Sequence, residues 1–166
     1  VLTVQGMRQV DDRVFRVSAA SGSTFTLEGE DTTAFDTFTS GKANKITFGT
    51  SITTATTLSS SGGDFDFIDT TTIHQAARTQ MPGLPAAASY SFDNIWDVSD
   101  AGLKAMKSAS DAQAKRAFMF TFGTGGQIMV FNGYVGASLL PGGSAQQLVT
   151  TKTTITMNGT PTYFAS

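Results

Sequence analysis

The stretch AFMFTFGTGGQIMVFNGYV, residues 117–135, decides the fold class. Phe118, Phe120 and Phe122 alternate with Met119 and Thr121, the two-residue period of a β-strand. GTGG then supplies a turn, and Ile128 to Val135 carries apolar side chains on both faces. A strand apolar on both faces has cover on both sides, so this hairpin is expected at the centre of a sheet.

Reading outward from it, Leu139 to Gly143 is a loop, and a last strand runs from Leu148 to Met157 with Val149, Ile155 and Met157 on one face. On the N-terminal side, Asp100 to Arg116 is rich in Ala, Leu, Lys and Met, with Leu103 and Met106 three apart and Lys104 and Lys107 on another side. This predicts one helix near residues 99–116, capped by Asp97 or Ser99. Before it, Tyr90, Phe92, Asn94 and Trp96 share one face of a strand. Phe65 to Asp69 is a further strand, and the residues from Thr70 to Ala88 read as a long, contact-making loop held by Met81, Leu84, Pro82 and Pro85. Ile46 to Phe48 and Ile52 to Leu58 read as two strands or one bent one, and Ser59 to Gly63 as a turn or hinge. The first segment carries short strands at Leu2 to Gln5, Val14 to Ser18 and Thr24 to Glu28, a small β-meander. A composition shift after Gly41 divides the chain into a 1–45 module and a 46–166 domain. Val1 to Gly6 reads as the middle of a strand, so further N-terminal sequence is expected.

Charged residues make up only 14 % of the chain, against about 25 % in an ordinary soluble domain. Thr, Ser and Gly take their place and favour strands and turns. The imbalance peaks at the end: from Ala117 to Ser166 there is no acidic residue and a single basic one, Lys152. A lone protein scatters charge over its strand edges to prevent unwanted pairing. Their scarcity here implies that copies of the chain cover one another.

The net charge of −2 argues against tight binding of nucleic acid, which calls for clustered Lys and Arg. Without cysteine there is no disulfide, thiolate nucleophile or Cys-based zinc site. The apolar runs are too short for a membrane span. His74 is the only histidine, which rules out a metalloprotease HExxH pair and reads as an ordinary loop residue. Asp64, Asp66 and Asp69 lack the Gly and distal Glu of a calcium loop and read as a solvated strand face. GTGG lacks the Lys-Ser or Lys-Thr of a phosphate loop. Asp11 and Asp12 are adjacent and point to opposite faces, a poor start for a two-carboxylate hydrolase. Tyr90, Phe92 and Trp96 could stack on sugars, but at strand spacing beside apolar partners they read as core. No acid, base and nucleophile set emerges, and no cofactor is expected.

The stretch FIDTTTIHQAARTQMPGLPAAASYSF, Phe67 to Phe92, resembles the loop-and-strand signature of the tail tube, or major tail, proteins of long-tailed bacteriophages. The later order fits too: strand, short helix, hairpin, then a final strand ending near Gly159, Thr160 and Pro161. The resemblance covers about residues 46 to 163. It implies a β-sandwich or partial β-barrel with one flanking helix, hexameric rings of identical subunits, and rings stacked into a tube through which the genome passes. It further implies that the long loop, with Met81, Pro82, Gly83, Leu84 and Pro85, reaches a neighbouring ring. Asp64, Asp66, Asp69 and Asp93 would face an acidic bore along which DNA slides without specific binding. A tape measure protein and a tail terminator are the other partners implied, with assembly in the bacterial host and residence in the virion tail. The N-terminal segment, GMRQVDDRVFRV with TFTLEGED, is similar to a small β module of other phage structural proteins and to a half-domain of ubiquitin-activating enzymes. It departs from the family's minimal pattern and would decorate the tube or pack on the sandwich. Two rival readings remain: a carbohydrate- or receptor-binding sandwich of a virion, and another virion part such as a terminator or decoration protein.

Overall fold

Alternating side chains sort the strands of the C-terminal half, with one from nearer the start, into a single main sheet, and the rest is arranged around it. The computed structural model describes residues 1–165 of the 166, so Ser166, the last residue of the expected 46–166 domain, lies outside the described residues. Strand accounts for 47 % of the chain and helix for 7 %, which makes it mainly β with one helix. The strands are β1 (Leu2–Gln5), β2 (Val14–Phe15), β3 (Val17–Ser21), β4 (Thr24–Leu27), β5 (Lys42–Lys45), β6 (Ala55–Ser61), β7 (Phe65–Asp69), β8 (Gln80–Pro85) and β9 (Ser89–Ile95). Helix α1 (Ala101–Asp111) follows, then β10 (Arg116–Thr121), β11 (Ile128–Ala137) and β12 (Thr150–Phe164).

The main sheet has the antiparallel order β10-β11-β12-β9-β6 and does not close on itself. One of its faces packs under α1: Met106 and Ala109 of the helix meet Phe92, Met129, Phe131, Val135, Ala137, Ile155 and Met157. The opposite face is covered at one end by a three-stranded sheet, β2-β1-β5, through Val14, Val130 and Phe164 with Val1, Ile46, Ala117 and Ile128 around them. The small sheet also keeps a core of its own, Leu2, Val10 and Phe15. Two layers of sheet with a helix on the flank give a sandwich-like architecture.

Several expectations are corrected. The 117–135 hairpin forms as read, but β10 is an edge; the centre of the sheet is β12, which pairs with β11 on one side and β9 on the other. β12 continues to Phe164 because Thr151, Thr153, Ile155 and Met157, and then Thr162 and Phe164, keep turning inward beyond a bulge opposite Val130 and Asn132. The helix is shorter than 99–116. Its N-cap is Asp100, whose carboxylate accepts from the Leu103 N–H at 2.7 Å, and it ends where Gln113 takes a φ of 48°. Lys42–Lys45, not Ile46 to Phe48, is the strand that pairs with β1, leaving Ile46 free to enter the core. Ser59 to Ser61 belong to β6, and only Gly62 and Gly63 turn.

The charge-poor end also finds part of its explanation inside the chain. β11 and β12 are interior strands, and a charge at their buried positions would be desolvated whatever the assembly.

Candidate assembly surface

The segment expected as a long loop is a hairpin arm. β7 pairs with β8, Ile68 opposite Met81 and Asp69 opposite Gln80, so the stretch around Met81 and Leu84 is strand. The prolines escaped notice as strand residues because proline cannot donate to a ladder. Here Ala86 donates inward to the Asp64 carbonyl at 2.9 Å and Thr79 accepts inward from Thr70 N–H. By alternation the nitrogens of Pro82 and Pro85 point to the outer, unpaired side, where a missing N–H costs nothing.

The arm is a continuation of the β6–β9 pair. Ser61 lies opposite Ser89, and the Gly63 N–H donates to the Ala86 carbonyl at 3.1 Å, so the ladder runs on from one ribbon into the next. Gly62 and Gly63, with φ of 84° and 85°, kink it. A Cβ on Gly62 would stand 2.4 Å from the Ala87 carbonyl oxygen, so only glycine fits the bend.

Beyond that bend the arm has little cover. Phe65, Phe67, Ile68, Met81 and Leu84 are all exposed, Phe67 at 64 % and Leu84 at 87 %. Phe67 stands opposite Pro82 and Ile68 opposite Met81, so both faces of the ribbon are apolar. An isolated two-stranded ribbon is marginal in water, and a bare apolar patch marks a site of contact with other protein.

Among the described residues, two strand edges of the main sheet are also unpaired. β6, ATTLSSS, carries neither charge nor proline, and β10, RAFMFT, carries one arginine. Such edges are templates for pairing with another chain.

The four acids named from the sequence do not form one surface. Asp64, Asp66 and Asp69 lie on or beside β7 of the arm. Hydrogen bonds from the Thr71 hydroxyl and backbone hold the Asp69 carboxyl below its usual range, and Arg78 sits 3.4 Å from it. Asp93 lies within the sheet, on β9 opposite Lys152, and accepts from the Thr57 hydroxyl at 2.7 Å. The aromatic row belongs to the core: Phe92 is buried, and Tyr90 meets Phe120 edge to face with centroids 5.1 Å apart. Burial pushes the Tyr90 hydroxyl up from its ordinary value. Trp96 is partly exposed, its indole N–H donating to the Leu139 carbonyl at 3.1 Å. Sequence reading missed the two free edges, whose only signal was the lack of charge in ATTLSSS.

An open β subunit with bare edges and a bare apolar arm is a component that associates with other protein chains. The family model of the phage tail tube protein matches residues 5–166, and the chain belongs to that family. It is a structural component of the virion tail whose copies associate into a tube. A search of curated proteins finds no match. No helix among the described residues is long and apolar enough to cross a membrane.

Proposed function

We propose that copies of this chain join side by side into rings of six, and that the rings stack into the conduit through which the genome leaves the capsid. The observation that carries this reading is the pair of unpaired edges on one sheet. β6 and β10 are different strands, so a contact that sets β6 of one copy against β10 of the next is head to tail, and such contacts close into rings or run on as filaments. Six is the count implied by the family resemblance. The arm, through Met81, Pro82, Gly83, Leu84 and Pro85, reaches beyond the ring to another copy, because its apolar faces have no cover within the chain.

Residues 1–45 act as an added layer on the 46–166 domain, seated through Val14 against Val130 and Phe164. DNA slides past without specific binding, since the net charge of −2 offers phosphate no grip. Of the acids assigned to the bore, Asp93 is the one that the main sheet itself carries. The tape measure protein inside the tube and a terminator at its end are the remaining partners, and the chain has no catalytic role.

Negative-stain microscopy of the purified protein tests this. Rings and tubes of indefinite length are expected; a species that stays monomeric at high concentration would overturn the proposal, and single capped rings would favour a terminator.

A further inference from the structure

A cleft of about 1180 Å³ opens between the free edge of β10, the segment from Thr47 to Ile52 and the start of β6. It exceeds the roughly 300–1,000 Å³ of a typical small-molecule site. Phe48, Leu58, Met119 and Phe122 line it, and all but Phe48 are exposed. Side chains of β10 border it, which leaves the backbone edge of that strand to the contact within the ring. Its charged residues are Lys45, Lys115 and Arg116 against Asp12, a surplus of two positive charges. Asp12 is taken up by Lys115 at 2.6 Å, which leaves Lys45 and Arg116 without an ion pair among the described residues.

The arm has the opposite character. Between Asp64 and Ala87 it carries Asp64, Asp66 and Asp69 against Arg78, a surplus of two negative charges. Arg78 is taken up by Asp69, which leaves Asp64 and Asp66 without an ion pair among the described residues. Its apolar side chains are exposed, so its own chain's cleft does not hold them.

We propose that this cleft receives the arm of a second copy, apolar faces against Leu58, Met119 and Phe122, with Asp64 and Asp66 set against Lys45 and Arg116. The assignment rests on the polymer reading above and specifies the seat of the arm within it. On it, two of the acids expected in the bore serve the contact between copies instead.

Charge reversal in the full-length chain tests it. Asp64→Lys with Asp66→Lys, and separately Lys45→Glu with Arg116→Glu, each should raise the concentration needed for polymerisation at least about tenfold, since like charges are then juxtaposed. The chain with all four substitutions should return to within about threefold of the wild type. All four positions are exposed, so circular dichroism and melting of the subunit should not move. Tubes formed normally by either reversed pair, or no recovery in the fourfold variant, would overturn the arm-in-cleft assignment while leaving the tube intact. A wild-type chain that never polymerises would remove the tube reading and this assignment together. The absence of cysteine allows a second check: Leu84→Cys chains mixed with Leu58→Cys chains should cross-link through a short bismaleimide only once polymerised, and polymer without that cross-link counts against the seat.

Discussion

Arg16 ties the beginning of the chain to its end. Its guanidinium hydrogen-bonds the Glu28 carboxylate, donates to the Ala165 carbonyl at 3.0 Å, and lies 5.0 Å from the centroid of the Phe164 ring. The hydrogen bond from Arg16 holds the Glu28 carboxyl below its usual range. A depressed carboxyl contributes stability that is present above its unfolded value, near pH 4, and lost as pH falls through the lower folded value. Acidification below about pH 4 should therefore loosen the end of β12 first, and Arg16→Gln should loosen it even at neutral pH. Amide exchange at Phe164 reads both; protection unchanged in Arg16→Gln would show that the ring packing alone holds the strand. Gly62 sets a second residue-scale expectation. Gly62→Ala places a Cβ against the Ala87 carbonyl at a φ of 84°, which costs about 1–2 kcal/mol in backbone strain alone. Denaturant melts should shift by that much or more, and tube formation should fall with it.

Helix α1 shows what a short element owes to its cap. Asp100→Ala removes the acceptor for the Leu103 N–H and should cost about 1 kcal/mol, within a range of about 0.5–2, by chemical denaturation. The arm shows the reverse, an element that owes its own subunit little. Replacing Asp64–Ala86 by a tight turn should leave the melting temperature of the monomer nearly unchanged, because the side chains removed are exposed, while abolishing polymer seen by sedimentation. Element by element, the sequence was most legible where one period ran unbroken. The pattern of Phe118 to Val135 and the helix spacing of Leu103 and Met106 placed β10, β11 and α1 correctly to within a few residues. It failed where proline and glycine masked a strand, as at Met81 to Pro85, and where pairing partners lay far apart in the chain, as in the central place of β12 between β11 and β9. Of the candidate site, the exposed apolar residues Met81 and Leu84 stood out in the sequence, but the hairpin that carries them did not. No local pattern announces that β7 and β8 prolong the pairing of β6 with β9, because that is a property of register between strands about thirty residues apart.

At the scale of the molecule, the scarcity of charge has two sources. Buried positions of the interior strands account for part of it, and bare surface for the rest, as at Tyr163 and Leu148. Assembly that covers such surface binds the folded state alone, so the melting temperature should rise with protein concentration across the onset of polymerisation and stay flat below it. Calorimetry over a concentration series checks this; a melting temperature independent of concentration in samples that contain tubes would mean that the contacts between subunits bury little.

The position of β12 has a consequence for synthesis. The fifteen residues of β12 supply the middle strand of the sheet, so β9 and β11 have nothing between them until residue 164 has been made. A nascent chain that has not yet reached that residue therefore has no finished sheet to offer its neighbours on the same message. Growth of the polymer is thereby reserved for chains synthesised through Phe164, and the order of strands works as a timer.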